Sequence, residues 1–264
     1  MVMSQRRYAL RDDQWKKIRE LLPGRKGSAG RTAKNNRLFV EAVLYRYRAG
    51  IPWRDLPERF GGWKNVHRRH SRWAAKGIWK LVFERLSDEP DNEYAMIDST
   101  IVRAHQHAAG AKKGGGQDRE RSRQAQCLGR SKGGLSTKIH ATCDALGNPT
   151  GFFLSPGQAH DLVGADALMD RIEPAEALLA DKAYDADKRV LGPLERAGVK
   201  AVIPSKANRK QPRSYDEHLY QRRHLVENLF QKLKQYRAIA TRYDKRADIF
   251  LSAIHLAAAL IWTI

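Results

Sequence analysis

The chain has 264 residues, with 49 Lys and Arg against 29 Asp and Glu, a formal net charge of +20 at pH 7. That length suffices for one large or two modest domains with real cores, and the surplus of cations points to a polyanionic partner. Its two cysteines, Cys127 and Cys143, share no ligand spacing with the nine histidines, which argues against a disulfide framework or a zinc site and fits free thiols in a reducing cytosol.

The charge is unevenly placed. Residues 1–90 carry 22 basic and 9 acidic side chains, and residues 91–264 carry 27 and 20. The first third therefore holds most of the excess, as expected of a dedicated nucleic-acid-binding unit. The opening "MVMSQRRYALRDD" lacks the apolar stretch of a signal peptide.

Residues 7–90 read as helices. "DDQWKKIRELLPG" starts from Asp12 as a cap, places Trp15, Ile18, Leu21 and Leu22 on one face and stops at Pro23-Gly24. "NNRLFVEAVLYRYRAG" repeats the pattern with Phe39, Val43 and Tyr47 and closes on Gly50. A short helix, a Gly61-Gly62 turn and a longer helix ending near Gly77 follow. In the longer helix Val66, His70 and Trp73 face inward, with His70 as a packed histidine, while Lys64, His67, Arg68, Arg69, Arg72 and Lys76 form a basic outer face. Those are the ingredients of a helix-turn-helix DNA reader, though a solvated basic helix in an ordinary bundle has the same composition.

After Pro90 the period changes. "EYAMIDSTIV" is a strand pattern that ends in Asp98, and "STKIHATCDALGNPTGFFLSPG" is a hairpin turning at residues 146–149. A short helix ("DLVGADALMDRI"), a strand ending at Asp181 ("EALLADKAYD"), a helix ("DKRVLGPLERAG") and a strand ("KAVIPS") come next. An antiparallel hairpin beside parallel strands linked by helices is an α/β mixed sheet. Between the first strand and the hairpin, a basic Gly-rich loop at about 103–136 has no core-forming pattern; it reads as a mobile segment that clamps DNA, with Lys132 in it and Lys138 just beyond it as contacts, or else as a plain linker. The final "DIFLSAIHLAAALIWTI" is apolar but contains Asp248, Ser252 and His255 and is shorter than the roughly 20 residues of a membrane span, so it reads as a buried helix.

The stretch "YQRRHLVENLFQKLK" poses the chemical question. On a helix Tyr220, Arg223, Glu227 and Lys234 share a stripe about 60° wide beside the apolar Val226, Leu229, Phe230 and Leu233. Glu227 is either a solvated ion-pair partner of its basic neighbours or a ligand held at the edge of the core. If Asp98 and Asp181 end parallel strands, they share a crevice that Glu227 can join. Three facing carboxylates need a compensating cation, and Mg²⁺, with Mn²⁺ as a substitute, suits oxygen ligands. Two such ions would activate a nucleophilic oxygen and stabilise a leaving oxygen at a phosphodiester.

These residues carry a resemblance. The spacing Y-x2-R-x3-E-x6-K at Tyr220, Arg223, Glu227 and Lys234 is similar to that of DDE transposases of bacterial insertion sequences. "GIPWRDLPERFGGWKNVHRRHSRW", "MIDSTIVRAHQHAAGAKK", "GRSKGGLSTKIH" and "ADKAYD" resemble the insertion sequence 5 family, and the matches span nearly the whole chain in order. The resemblance implies an all-α helix-turn-helix domain over residues 1–90 and a ribonuclease-H-like catalytic domain over 91–264. It implies that Asp98, Asp181 and Glu227 bind divalent metal, that Arg223, Lys234 and Tyr220 contact DNA beside it, and that a homodimer or higher oligomer assembles on double-stranded DNA. The implied reaction cuts at the inverted ends of the enzyme's own element and joins the freed 3′-hydroxyls to target DNA, in the cytoplasm and away from membranes. A metal-dependent nuclease without strand transfer and a non-enzymatic DNA-binding regulator are the competing expectations.

Asp144 reads as a turn cap, Asp185 and Asp187 as the start of a helix, His140 and His160 as packing residues, and Ser99 lacks a base that would make it a nucleophile.

Overall fold

A computed structural model describes residues 8–25, 27, 32–109 and 125–264; the centre of the expected basic loop, 110–124, lies outside the described residues. The chain forms two compact units.

The first unit takes the residues up to Asp88 together with Leu233–Thr241 and Asp248–Ile264. Its N-terminal helices are α1 (Asp12–Arg19), α2 (Asn36–Ala49), α3 (Trp63–Ala75) and α4 (Ile78–Leu86). Asp12 is the first helical residue of α1 and Arg11 its cap, so the expected Asp12 cap moves inward by one position, where its charge suits the positive helix end. Asn35 caps α2 through Leu38 N, and Gly50 ends it in the left-handed region at φ 73°. The expected short helix before Gly61 is two 3₁₀ turns, Trp53–Asp55 and Glu58–Phe60, each following a proline. Val66, His70 and Trp73 of α3 are buried as expected. Trp73 packs against Phe39 and Trp79, and His70 is boxed in by aromatic rings. His70 Nδ1 accepts from Trp79 Nε1 at 3.1 Å and its Nε2 meets the Tyr47 hydroxyl at 3.2 Å; burial lowers its pKa to about 3, so the ring stays neutral.

The C-terminal helix (Ala247–Ile261) belongs to this same unit. The sequence places 91–264 in one domain, whereas the packing returns the last helix to the first unit. The reason is its composition: twelve of its fifteen residues are buried, and an all-round apolar helix needs cover on every side. Phe83 stacks on His255 at 5.4 Å, and Gln14 Nε2 donates to Thr263 Oγ1 at 3.1 Å. Among the described residues no helix is long and apolar enough to cross a membrane.

The second unit, Glu89–Lys232 with Arg242–Ala247, holds a mixed sheet. Its strands are β1 (Ala95–Ala104), β2 (Gly129–Ser131), β3 (Gly134–Cys143), β4 (Pro149–Pro156), β5 (Ala177–Leu179) and β6 (Lys200–Val202). β3 and β4 form the expected antiparallel hairpin, with β3 also antiparallel to β1, while β5 is parallel to both β1 and β6. Asp144 holds the hairpin turn by accepting from Asn148 N at 2.7 Å and Leu146 N at 3.0 Å. Helix α5 (Leu162–Leu168) and a π-turn (Asp187–Leu191) running into α6 (Gly192–Ala197) cover one face, packing Leu162, Ala165, Val190 and Leu194 onto Ile97 and Leu178. After β6 come α7 (Glu217–Tyr220), a 3₁₀ turn at Gln221–Arg223 and α8 (His224–Lys234). The helix expected to run unbroken through 220–234 is therefore interrupted at 221–223. The chain ends with α9 (Arg237–Ala240), the short β7 (Thr241–Arg242) beside β1, and α10 (Ala247–Ile261). Both cysteines are free thiols.

Candidate active site

Asp98 does not end its strand. On the β3 side the ladder of β1 runs on to Arg103–Ser136, but on the β5 side it stops at Met96–Leu179. Two residues beyond that last parallel pair stand Asp98 within β1 and Asp181 just past the end of β5, so the register sets both carboxylates level where β5 turns away. The crevice opens mid-strand because one neighbour leaves while the other stays.

Each carboxylate is aimed by backbone. Asp98 Oδ1 accepts from Ser99 N at 2.7 Å, and Asp181 Oδ1 caps the 3₁₀ turn Lys182–Tyr184 by accepting from Ala183 N at 2.8 Å. Successive residues of a strand face opposite ways. Asp98 turns to Arg223 on the turn before α8, whereas Ser99 donates its hydroxyl to Asp161 at the start of α5.

Arg223 links two of the expected ligands. Its Nη1 donates to Asp98 Oδ2 at 2.7 Å, and its Nη2 donates to Glu227 Oε1 one turn along. The Tyr220 phenol shares the same guanidinium. Burial raises the pKa of Asp98, Ser99 N and Arg223 pull it back, and the charge of Asp181 pushes it up again. Asp98 is thus a desolvated carboxylate with a second one nearby, which is the electrostatic condition for recruiting a cation. Among the described residues no three His, Cys, Asp or Glu side chains already surround one point as metal ligands do; the guanidinium stands between Asp98 and Glu227. The donor set, all carboxylate oxygen, fits a hard divalent ion once that guanidinium moves aside.

Tyr184 walls the site. Its hydroxyl is buried without a hydrogen-bond partner among the described residues, and burial, with the charges of Asp161, Asp98 and Asp181, pushes its pKa far up. Sequence reasoning missed both Tyr184 and Asp161. The only signal for either was adjacency in the chain, Tyr184 inside "ADKAYD" and Asp161 just ahead of a helix.

Several expected DNA contacts sit differently. Lys138 is 8% exposed, and its ammonium is spent on Ala159 O at 2.7 Å and Asp161 Oδ1 at 2.9 Å, so it braces the hairpin instead of facing a ligand. Arg69 is turned in over Phe39 and Trp73 and donates to Asn36; it supports α3 and does not extend its outer face. Lys64, Arg68 and Arg72 are exposed on α3, and Lys132 is exposed in the turn between β2 and β3. Tyr220 and Arg223 lie with the carboxylates in the second unit, while Lys234, also exposed, is on the last turn of α8 in the first. His140 is packed, its Nε2 meeting Ser155 Oγ at 2.7 Å and its pKa lowered to about 4 by burial, and His160 Nδ1 accepts from Leu162 N at 3.2 Å. Asp187 opens the π-turn as expected, but Asp185 starts no helix: it is buried beneath two arginines.

The chain is similar to known proteins. Residues 10–83 match the family described as "Putative transposase of IS4/5 family", and residues 90–262 match the family described as "Transposase DDE domain". A 130-residue stretch is 38% identical to the "Putative transposase for insertion sequence element IS6501" of Brucella ovis, covering 48% of this chain and 98% of that protein. A 108-residue stretch is 53% identical to the uncharacterized protein y4sN of Sinorhizobium fredii, covering 40% of this chain and 86% of that one. Among solved structures, the piggyBac transposase synaptic complex with hairpin DNA superposes over 94% of this chain and 69% of that chain with a TM-score of 0.54 at 12% identity, a likeness of fold. With a DDE domain matched over most of its length and a ribonuclease-H-like mixed sheet beneath it, the chain belongs to the DDE transposases of the IS4/5 type.

Proposed function

We propose that Asp98, Asp181 and Glu227 are the metal-binding carboxylates of this transposase, and that it cleaves DNA phosphodiesters at the inverted ends of its element and transfers the 3′-hydroxyl ends to target DNA. The observation that carries this reading is Arg223, whose single guanidinium spans Asp98 and Glu227 although they lie on elements 129 positions apart in the sequence. Two carboxylates that share one cation are close enough to share another.

Divalent metal, Mg²⁺ with Mn²⁺ as a substitute and two ions in the full site, would polarise the attacking and leaving oxygens of the phosphodiester. The chain's own groups do the positioning. The N–H groups of Ser99 and Ala183 each hold one oxygen of Asp98 and Asp181, which leaves Asp98 Oδ2, bonded to Arg223, and Asp181 Oδ2 as the oxygens for a metal. Arg223, freed from the carboxylates, offers a planar pair of donors matched to a phosphate. Tyr220 keeps that guanidinium at the crevice, and Lys234 adds a further cation on α8. In the first unit the exposed Lys64, Arg68 and Arg72 of α3 suit recognition of element ends, with Lys132 a further contact from the second unit and the protein acting as a dimer or higher oligomer on DNA.

The test pairs a cleavage assay on a labelled element-end duplex with a binding titration of the same DNA. Glu227→Gln and Asp181→Asn should bind near wild type and fail to cleave or join, and a double variant should be hardly worse than either single one, since the three act as a unit. Retained Mg²⁺-dependent cleavage by Glu227→Gln returns this residue to a surface ion pair with Arg223.

A further inference from the structure

Ten residues of the loop between β6 and α7, from Pro204 to Arg213, carry four cations, Lys206, Arg209, Lys210 and Arg213, and no carboxylate. The loop is built around a single buried anion. Asp185, with its side chain 2% exposed, accepts from Lys206 N at 2.9 Å and from Arg213 Nη2 at 2.8 Å, with Arg209 Nη1 at 3.5 Å. Ser205 Oγ closes the loop by accepting from Arg213 N at 2.9 Å. Arg209 reaches on to Asp187 at the rim. The two guanidiniums are thereby held side by side at an open cavity of about 750 Å³ that Lys210 also lines.

Two features exceed what a structural pin requires. Three cations, Arg209, Lys210 and Arg213, line the cavity with a single carboxylate, Asp187, above the buried Asp185, and Lys210 has no ion-pair partner among the described residues. Arg213 Nε is a buried donor with no hydrogen-bond partner among the described residues. Guanidiniums that stay partly exposed beside surplus positive charge suit a phosphate, and fixed arginine forks suit it better than mobile lysines do. The anchor is also well placed. Asp185 follows Asp181 by one 3₁₀ turn, so the loop is tied to the segment that carries a catalytic carboxylate.

We propose that Arg209, Lys210 and Arg213 form a DNA phosphodiester-binding site, preorganised by Asp185, that grips the backbone beside the phosphate being cut. This rests on the reading of the protein as a DNA-cleaving transposase. The test measures binding of the full-length protein to a labelled duplex across a salt series, for wild type, Arg213→Gln, Arg213→Lys and Arg209→Gln, with urea unfolding of each. Each phosphate that a variant no longer neutralises should flatten the log–log salt slope by about 0.9. Arg213→Gln and Arg209→Gln should therefore show flatter slopes and several-fold weaker binding at protein concentrations and temperatures where they remain folded. Arg213→Lys should keep the slope and lose part of the affinity. An unchanged slope in folded Arg213→Gln and Arg209→Gln, with only the unfolding midpoint lowered, makes the pair a loop pin and overturns the proposal. A second arm adds inorganic phosphate in place of duplex: phosphate protection of wild type against urea that Arg213→Gln lacks, combined with an unchanged duplex slope, makes this a small-anion site and also overturns it. If wild type binds and cleaves duplex while these variants match it, only this site fails; if wild type does neither, the transposase reading fails with it.

Discussion

Asp98 and Asp185 are both aspartates paired with arginine from a distant part of the second unit, yet their surroundings differ. Asp98 is 20% exposed, stands level with Asp181 and shares Arg223 with the half-exposed Glu227. Asp185 is closed off beneath Arg209 and Arg213 and spends both oxygens on the loop it anchors. One carboxylate stays partly open to solvent beside other carboxylates, and the other holds two arginines in place. The raised pKa of Asp98, driven by burial, marks the cost: its charge works against folding, as is usual where a site is kept for chemistry.

The contrast is most exposed to test at Asp98. Asp98→Asn should abolish metal-dependent cleavage, a loss well beyond the roughly 10–100-fold of changes that act only through a ligand's neighbours. Because ionised Asp98 is disfavoured in the fold, the same change should leave urea stability at pH 7 equal or higher. A large loss of stability would place Asp98 with Asp185 as a structural anchor. Asp185→Ala should behave in the opposite way and lower the stability by about 1–3 kcal/mol, since it strands Lys206 N and two guanidiniums that only partly reach water. An unfolding midpoint at the wild-type value would remove its anchoring role.

Asp161 lies between the two cases and gives the smallest effect. Burial raises its pKa, but the Ser99 hydroxyl and the Lys138 ammonium outweigh that and leave it below the ordinary value. A carboxylate with a depressed folded pKa adds stability above its unfolded pKa of 3.8 and loses it as the pH falls through the folded value. The stability gap between wild type and Asp161→Asn, on the order of 1 kcal/mol near neutral pH, should therefore shrink only on acidification below about 4. A gap that is constant from pH 7 to pH 3 would show that Asp161 contributes by shape and not by charge.

Local pattern carried much of this molecule. The β3–β4 hairpin, the buried face of α3 with His70 inside it, the turn role of Asp144 and the pairing of Arg223 with Glu227 at helical spacing all follow from short-range periods and turn chemistry. Those rules act within one element, where the covalent chain sets the phase. They do not say which face of one element meets another. Lys138 alternates correctly along β3, but only the approach of Asp161 and Ala159 turns it from an outward cation into a brace. Arg69 has the helical phase of a surface residue until Phe39 and Trp73 offer their rings.

The residue types of the site, their order and the Y-x2-R-x3-E-x6-K spacing are properties of the chain alone, and they carry its resemblance to the DDE transposases. The parallel register that levels Asp98 with Asp181, the early end of β5 that opens the crevice, the return of α10 to the first unit and the burial of Asp185 were decided by tertiary structure. The physical reason is that each depends on contacts between segments far apart in sequence, where backbone pairing and desolvation, and not local propensity, select the partner.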